Sequence, residues 1–153
     1  MPQANLSGYL AEQQAVTWAS GRSLVSLAAD EYTNLSDNVD NSSTKYLQAD
    51  IEISVDWDTT APTDGESLHL YIIPIPGTEP NWVGDGTANE PINEQYYAGS
   101  FTVTDILTSQ VVTIEDIPLP SGNFKFAVRN KTSQPLTAAA HTLKWRPKSF
   151  GSQ

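Results

Sequence analysis

The chain has 153 residues, with 8 Lys+Arg against 18 Asp+Glu, a formal net charge of −10 and a pI near 4.3. That length fits one hydrophobic core. The charge argues against binding to nucleic acid or to an anionic membrane, both of which call for a basic face. With no cysteine there is no disulfide framework, thiolate nucleophile or zinc-thiolate site, so stability must come from packing or assembly.

The opening MPQANLSGYLAEQ has neither a basic n-region nor an apolar h-region, and no 18-residue apolar run occurs anywhere. We therefore expect a chain made and kept soluble without a Sec-type signal. Residues 1–20 read as an N-terminal arm or extended segment, and 21–153 as one domain. Within the arm Gln14–Trp18 reads as a short strand, followed by short strands at Ser23–Leu27 and Asp30–Leu35. Ser36–Ser43 is dense in residues whose side chains bond nearby backbone, which favours turns.

Thr44–Asp58 carries the strongest pattern in the chain. Leu47, Ala49, Ile51, Ile53, Val55 and Trp57 alternate with Gln48, Asp50, Glu52, Ser54 and Asp56. Side chains alternate across a pleated strand, so one apolar row demands a second layer while the other row faces water. Ser67–Ile75 resumes the alternation, with Leu68, Leu70 and Ile72 on one side and His69, Tyr71 and Ile73 on the other. Pro74 and Pro76 end it. The irregular stretch Pro76–Gln95 is long for a loop in a compact domain, and such loops tend to carry function or disorder.

Further strands are expected at Tyr96–Thr104, with Tyr97, Phe101 and Val103 on one face, at Gln110–Ile117, at Asn123–Asn130 and at Thr142–Arg146, where Pro147 is a stop. The segment 135–140 is a loop or one helical turn. About eight strands with turns between them, and no amphipathic helix longer than two turns, point to an all-β chain. The uneven connections favour a β-sandwich of jelly-roll-like type with antiparallel strands over a meander.

Three segments resemble, in the same order, small virion structural proteins of tailed bacteriophages: DNSSTKYLQADIEISVD (Asp40–Asp56), LYIIPIP (Leu70–Pro76) and IPLPSGNFKFAVRNKTSQPLTAAAHTLKWRP (Ile117–Pro147). These are strand and turn signatures without a catalytic motif. The resemblance implies a virion component, made in the host bacterial cytoplasm. By analogy between folds, it also implies a capsid cement or decoration protein on the capsid surface, bound to the major capsid protein, frequently as a homotrimer. The alternative is a jelly-roll binding module of a tail or fibre that recognises cell-surface glycan.

No catalytic constellation is visible: no Gly-x-Ser-x-Gly elbow, phosphate loop or His-Glu-x-x-His pair. A non-enzyme without cofactor is therefore expected. Asp56, Asp58, Asp64 and Glu66 supply oxygen donors but depart from EF-hand spacing, and solvated carboxylates are the plainer reading. His69 and His141 read as structural or exposed. Trp18, Trp57 and Trp145 read as core. Trp82, beside Val83 and Asp85 in the long loop, either folds back on the core or meets a partner, and Tyr96 and Tyr97 adjoin it as an extension of that partner-binding patch. Six of the eight positive charges follow residue 124, which gives either a dipolar surface or basic residues paired with nearby acids.

Overall fold

A computed structural model describes residues 9–19, 21–77 and 91–148. Among them are eight strands: β1 Gln14–Ala15, β2 Val39–Asp40, β3 Gln48–Val55, β4 Ser67–Pro74, β5 Tyr97–Thr102, β6 Gln110–Pro118, β7 Asn123–Asn130 and β8 Thr142–Lys148. A turn of 3-10 helix, Glu94–Tyr96, precedes β5. The strands form two four-stranded sheets, in the orders β1-β8-β3-β6 and β2-β7-β4-β5, with every neighbouring pair antiparallel.

The pairs β1·β8, β2·β7, β3·β6 and β4·β5 are those of one long hairpin folded at the β4–β5 connection. Successive pairs lie in opposite sheets, so the ribbon is rolled into a sandwich, and β3·β8 and β4·β7 complete the two sheets. This is a jelly roll. Trp57 continues the pattern of β3 beyond its end through an isolated bridge to Leu136.

The apolar rows meet between the sheets. Ala49, Ile51, Ile53, Val55 and Trp57 pack with Leu68, Leu70, Phe101, Phe124, Phe126, Val128, Leu143 and Trp145 in one buried cluster. A second, smaller cluster lies on the outer face of the β2-β7-β4-β5 sheet, where Tyr32 and Ile92 cover Tyr71, Ile73, Ile75 and Ala127. β4 is thus buried on both faces, which explains its almost unbroken apolar run LYII.

Several expectations need correction. Leu47 lies outside the strand and is 54% exposed, while Gln48 and Asp50 of the supposed water-facing row are buried. Ser23–Leu27 forms a turn that drops Leu24 and Leu27 into the core. Val39–Asp40, inside the expected turn region, pairs with β7. Trp18 is only partly buried, and its Nε1–H donates to the Asn34 carbonyl. β8 runs through Pro147, which sits opposite Ala49. The Pro147 carbonyl accepts from Leu10 N–H, so its backbone polar side faces the arm, and no ladder bond to β3 needs the missing donor.

Asp30–Ser36 follows the edge of β7 without becoming a regular strand. Thr33 N–H donates to Val128 O and Ser36 N–H to Phe126 O, both at 2.8 Å. In return, Val128 N–H donates to Thr33 Oγ1 at 3.0 Å and Phe126 N–H to Ser36 Oγ at 2.8 Å. Two buried hydroxyls therefore replace backbone carbonyls as the acceptors for β7. Thr33→Val keeps the shape and removes the acceptor, leaving a buried N–H unmet. We expect a loss of about 1–3 kcal/mol in chemical denaturation, whereas exposed Thr102→Val stays within about 0.5 kcal/mol. Equal stabilities would contradict this role for Thr33.

Candidate functional site

Of the residues expected to form a partner-binding patch, Trp82, Val83 and Asp85 lie outside the described residues. Tyr96 and Tyr97 are described, and they diverge. Tyr96, at the end of the 3-10 turn, is partly buried against the outer cluster of Tyr71 and Ile73. Tyr97 is 45% exposed. A bulge in the β4·β5 pairing, where Leu70 faces Gly99 but Tyr71 faces Tyr97, breaks the alternation. Tyr97 consequently stands on the outer face with Tyr71, while Phe101 and Val103 point into the core and Ala98 packs against it. The expectation that Tyr97 shares a face with Phe101 is corrected by this extra residue.

On that outer face Tyr97 meets the rings of His69 and Tyr71 edge-on, with centroids 5.2 and 6.1 Å away. The Tyr71 hydroxyl donates to Glu94 Oε1 at 3.0 Å. Burial, reinforced by that carboxylate, pushes the Tyr71 phenol above its ordinary pKa. Arg129 Nη2 donates to Asp30 Oδ1 at 2.8 Å, its guanidinium lies 4.8 Å over the Tyr32 ring, and Nη1 is 3.9 Å from Glu94. Burial lowers the His69 pKa against the opposing Glu94 carboxylate, and the nearby Arg129 and Lys131 charges lower it further. An imidazole, an exposed phenol, a guanidinium and two carboxylates thus share one sheet face. The period-two pattern of β4 puts His69 and Tyr71 together, but only the strand order brings in Arg129 from β7.

The outer face of the other sheet holds a second polar cluster. Asp50 of β3 lies opposite a bulge of β6, where Ala49 pairs with Ile117 and Ile51 with Ile114. Asp116, at a positive φ of 57°, directs its N–H to Asp50 Oδ1 at 3.1 Å. The Tyr9 hydroxyl donates to Asp50 Oδ2 at 2.9 Å, and Lys148 Nζ lies 3.3 Å from Asp50 and 3.0 Å from Asp116. Arg146 stacks 3.7 Å over the Tyr9 ring. Burial alone would raise the Asp50 carboxyl, but the Asp116 N–H, the Tyr9 hydroxyl and Lys148 outweigh it and hold its pKa below the ordinary range. These bonds fix residues 9–11 along β8.

Three of the six late positive charges pair locally: Arg129 and Lys131 with Asp30, and Lys148 with Asp50 and Asp116. For these three, local pairing holds over a dipolar surface. Glu66 accepts from the N–H groups of Thr63 and Ser133. His141 Nδ1 accepts from Asp56 N–H at 3.2 Å. Among the described residues no group of three or more His, Asp or Glu is placed to hold a metal ion.

Between β5 and β6, the edge strands of the two sheets among the described residues, lies an open groove of about 650 Å³, lined by Pro74, Tyr96, Tyr97, Ala98, Ile117 and Pro118 among others. Tyr97 therefore borders both the groove and the outer face. Nothing in the sequence pattern announces this groove, because it depends on which two strands end the sheets. Compared with known proteins, the chain matches no family model and no curated sequence.

Asp50→Asn keeps the shape of the latch and removes its charge. We expect a loss of about 2 kcal/mol at pH 7, in line with charge-assisted hydrogen bonds. Because the folded pKa is depressed, this stability is fully present above about pH 3.9 and is lost as pH falls through the lower folded value. The gap between wild type and Asp50→Asn in denaturant titrations should therefore close only in strong acid. A gap that closes near neutrality would contradict the assignment.

Proposed function

We propose that the chain is a non-enzymatic structural protein of a bacteriophage virion, a cement or decoration protein on the outer surface of the head shell. Its partner on this reading is the major capsid protein, and copies sit as trimers at local threefold positions. The observation that carries the reading is the strand order, β1-β8-β3-β6 against β2-β7-β4-β5, which supports the jelly roll that the virion resemblance implies. The rigid sandwich holds its exposed loops and sheet faces in fixed relation, as a clamp between shell subunits requires. Among the described residues no helix is long and apolar enough to cross a membrane.

A second reading is favoured by one feature. Tyr97 presents a half-exposed ring beside His69, Glu94 and Arg129, a combination of stacking surface and hydrogen-bonding groups suited to a sugar ring. On this reading the chain is a tail or fibre module that binds cell-surface glycan.

Heads of the phage encoding the chain, prepared without it, separate the two. Purified protein should co-sediment with them saturably and raise the temperature at which they rupture. Binding to no head, together with glycan-array signals abolished by Tyr97→Ala in a protein that still folds, would overturn the cement reading in favour of the second.

A further inference from the structure

We propose that the edge of β6 left unpaired by the described strands is a two-fold contact with a second copy of this chain, in which the loop before β6 of each copy enters the groove of the other. The contact is independent of the virion reading.

Backbone geometry shows which groups of β6 the ladders among the described residues leave unused. Val16 N–H donates to Leu143 O and Leu10 N–H to Pro147 O, so the odd-numbered residues of β8 turn their polar groups to the arm and the even-numbered ones to β3. Within β3, Gln48, Asp50, Glu52 and Ser54 face β8 across the ladder, and Ala49, Ile51, Ile53 and Val55 face β6. Their partners in register are Ile117, Ile114, Val112 and Gln110. Val111 and Thr113 therefore direct N–H and C=O away from the sheet. An antiparallel copy centred on Val112 sets Val111 opposite the partner copy's Thr113 and the reverse, which uses all of these groups.

The same register brings knob to groove. Leu107 lies as many residues before Val112 as Ile117 lies after it, so a two-fold axis at Val112 carries each copy's Ile106–Leu107 toward the Ile117–Pro118 wall of the other's groove. Ile106, Leu107 and Val111 are 51%, 43% and 62% exposed. The tip that carries the first two is braced. Gln110 Nε2 donates to Thr104 O at 2.9 Å and to Ile106 O at 2.7 Å, while its Oε1 accepts from Thr104 N–H at 2.9 Å. An apolar tip held by a buried amide is preorganised for insertion, which lowers the entropy cost of binding.

Charge selects the occupant. The stretch Ile106–Ile114 carries no charged residue, in a chain of net charge −10. Two copies repel over most approaches, but across a two-fold at Val112 residues 110–114 oppose one another without charge, and Glu115 and Asp116 oppose the uncharged Ser109 and Thr108 of the second copy. The bulge at Glu115–Asp116 ends the backbone ladder there, so loop and groove meet beyond it through side chains.

Light scattering after size exclusion tests the contact, with Val111→Pro, which removes an edge donor that no ladder bond among the described residues uses, and with Leu107→Asp in the loop. We expect a wild-type mass that is an even multiple of 16.7 kDa, halved by either substitution while circular dichroism keeps the β-sheet signal, and association that strengthens as salt screens the net charge. A one-chain or three-chain wild-type mass, or a mass unchanged by Leu107→Asp, would overturn the proposal. If Val111→Pro fails to fold, Leu107→Asp decides alone.

Discussion

The apolar row of β3 must be kept dry, and the rest of the sandwich is placed to do it. Ala49, Ile51, Ile53, Val55 and Trp57 lie at the centre of one sheet, flanked by β8 and β6, and face the phenylalanines and leucines of β4, β5 and β7. At roughly 25 cal/mol per Å² of buried apolar area, a row of this kind dominates the favourable side of folding. It also fixes register, since a slip of one residue would send every side chain of the row to water. A disulfide-free chain has no other staple of comparable strength.

Connections between the sheets then need polar closure, and buried side chains supply it. Asn41 joins the turn before β3 to the one after β6 by donating to Tyr46 O and Pro120 O. Asn130 donates to Leu27 O and Gln134 O, and Gln110 closes the loop before β6. With Thr33 and Ser36 on the edge of β7, these groups do in side chains what regular ladders do elsewhere. Loops braced in this way keep the surfaces they carry in fixed relation.

The long strands were legible because burial on one face writes period two into the sequence. The apolar rows of β3, β4 and β7 face the core as their alternation leads one to expect, although β4 is buried on its other face too and Gln48 and Asp50 of β3 are covered. Legibility failed where tertiary context overrides local pattern. Tyr97 changes face at a bulge, Pro147 continues a strand because its polar side faces the arm, and Ser36 reads as a turn former, and Thr33 as part of a short strand, although their hydroxyls complete the edge of β7. Strand order is not encoded in periodicity at all. Consequently neither the outer face of His69, Tyr97 and Arg129 nor the groove beneath Tyr97 could be assembled from the sequence. Asp50 looked like a solvated acid, and the arm that buries it lies 41 residues earlier in the chain.

What the fold offers is surface, with loops braced by buried side chains. The most direct test of the proposed virion role is an electron cryomicroscopy reconstruction of particles from the source that encodes this chain. The account predicts eight-stranded density of the order β1-β8-β3-β6 over β2-β7-β4-β5 on the outside of the head, bridging neighbouring shell subunits. The same density at the tail tip, or a particle that lacks the chain, would contradict it.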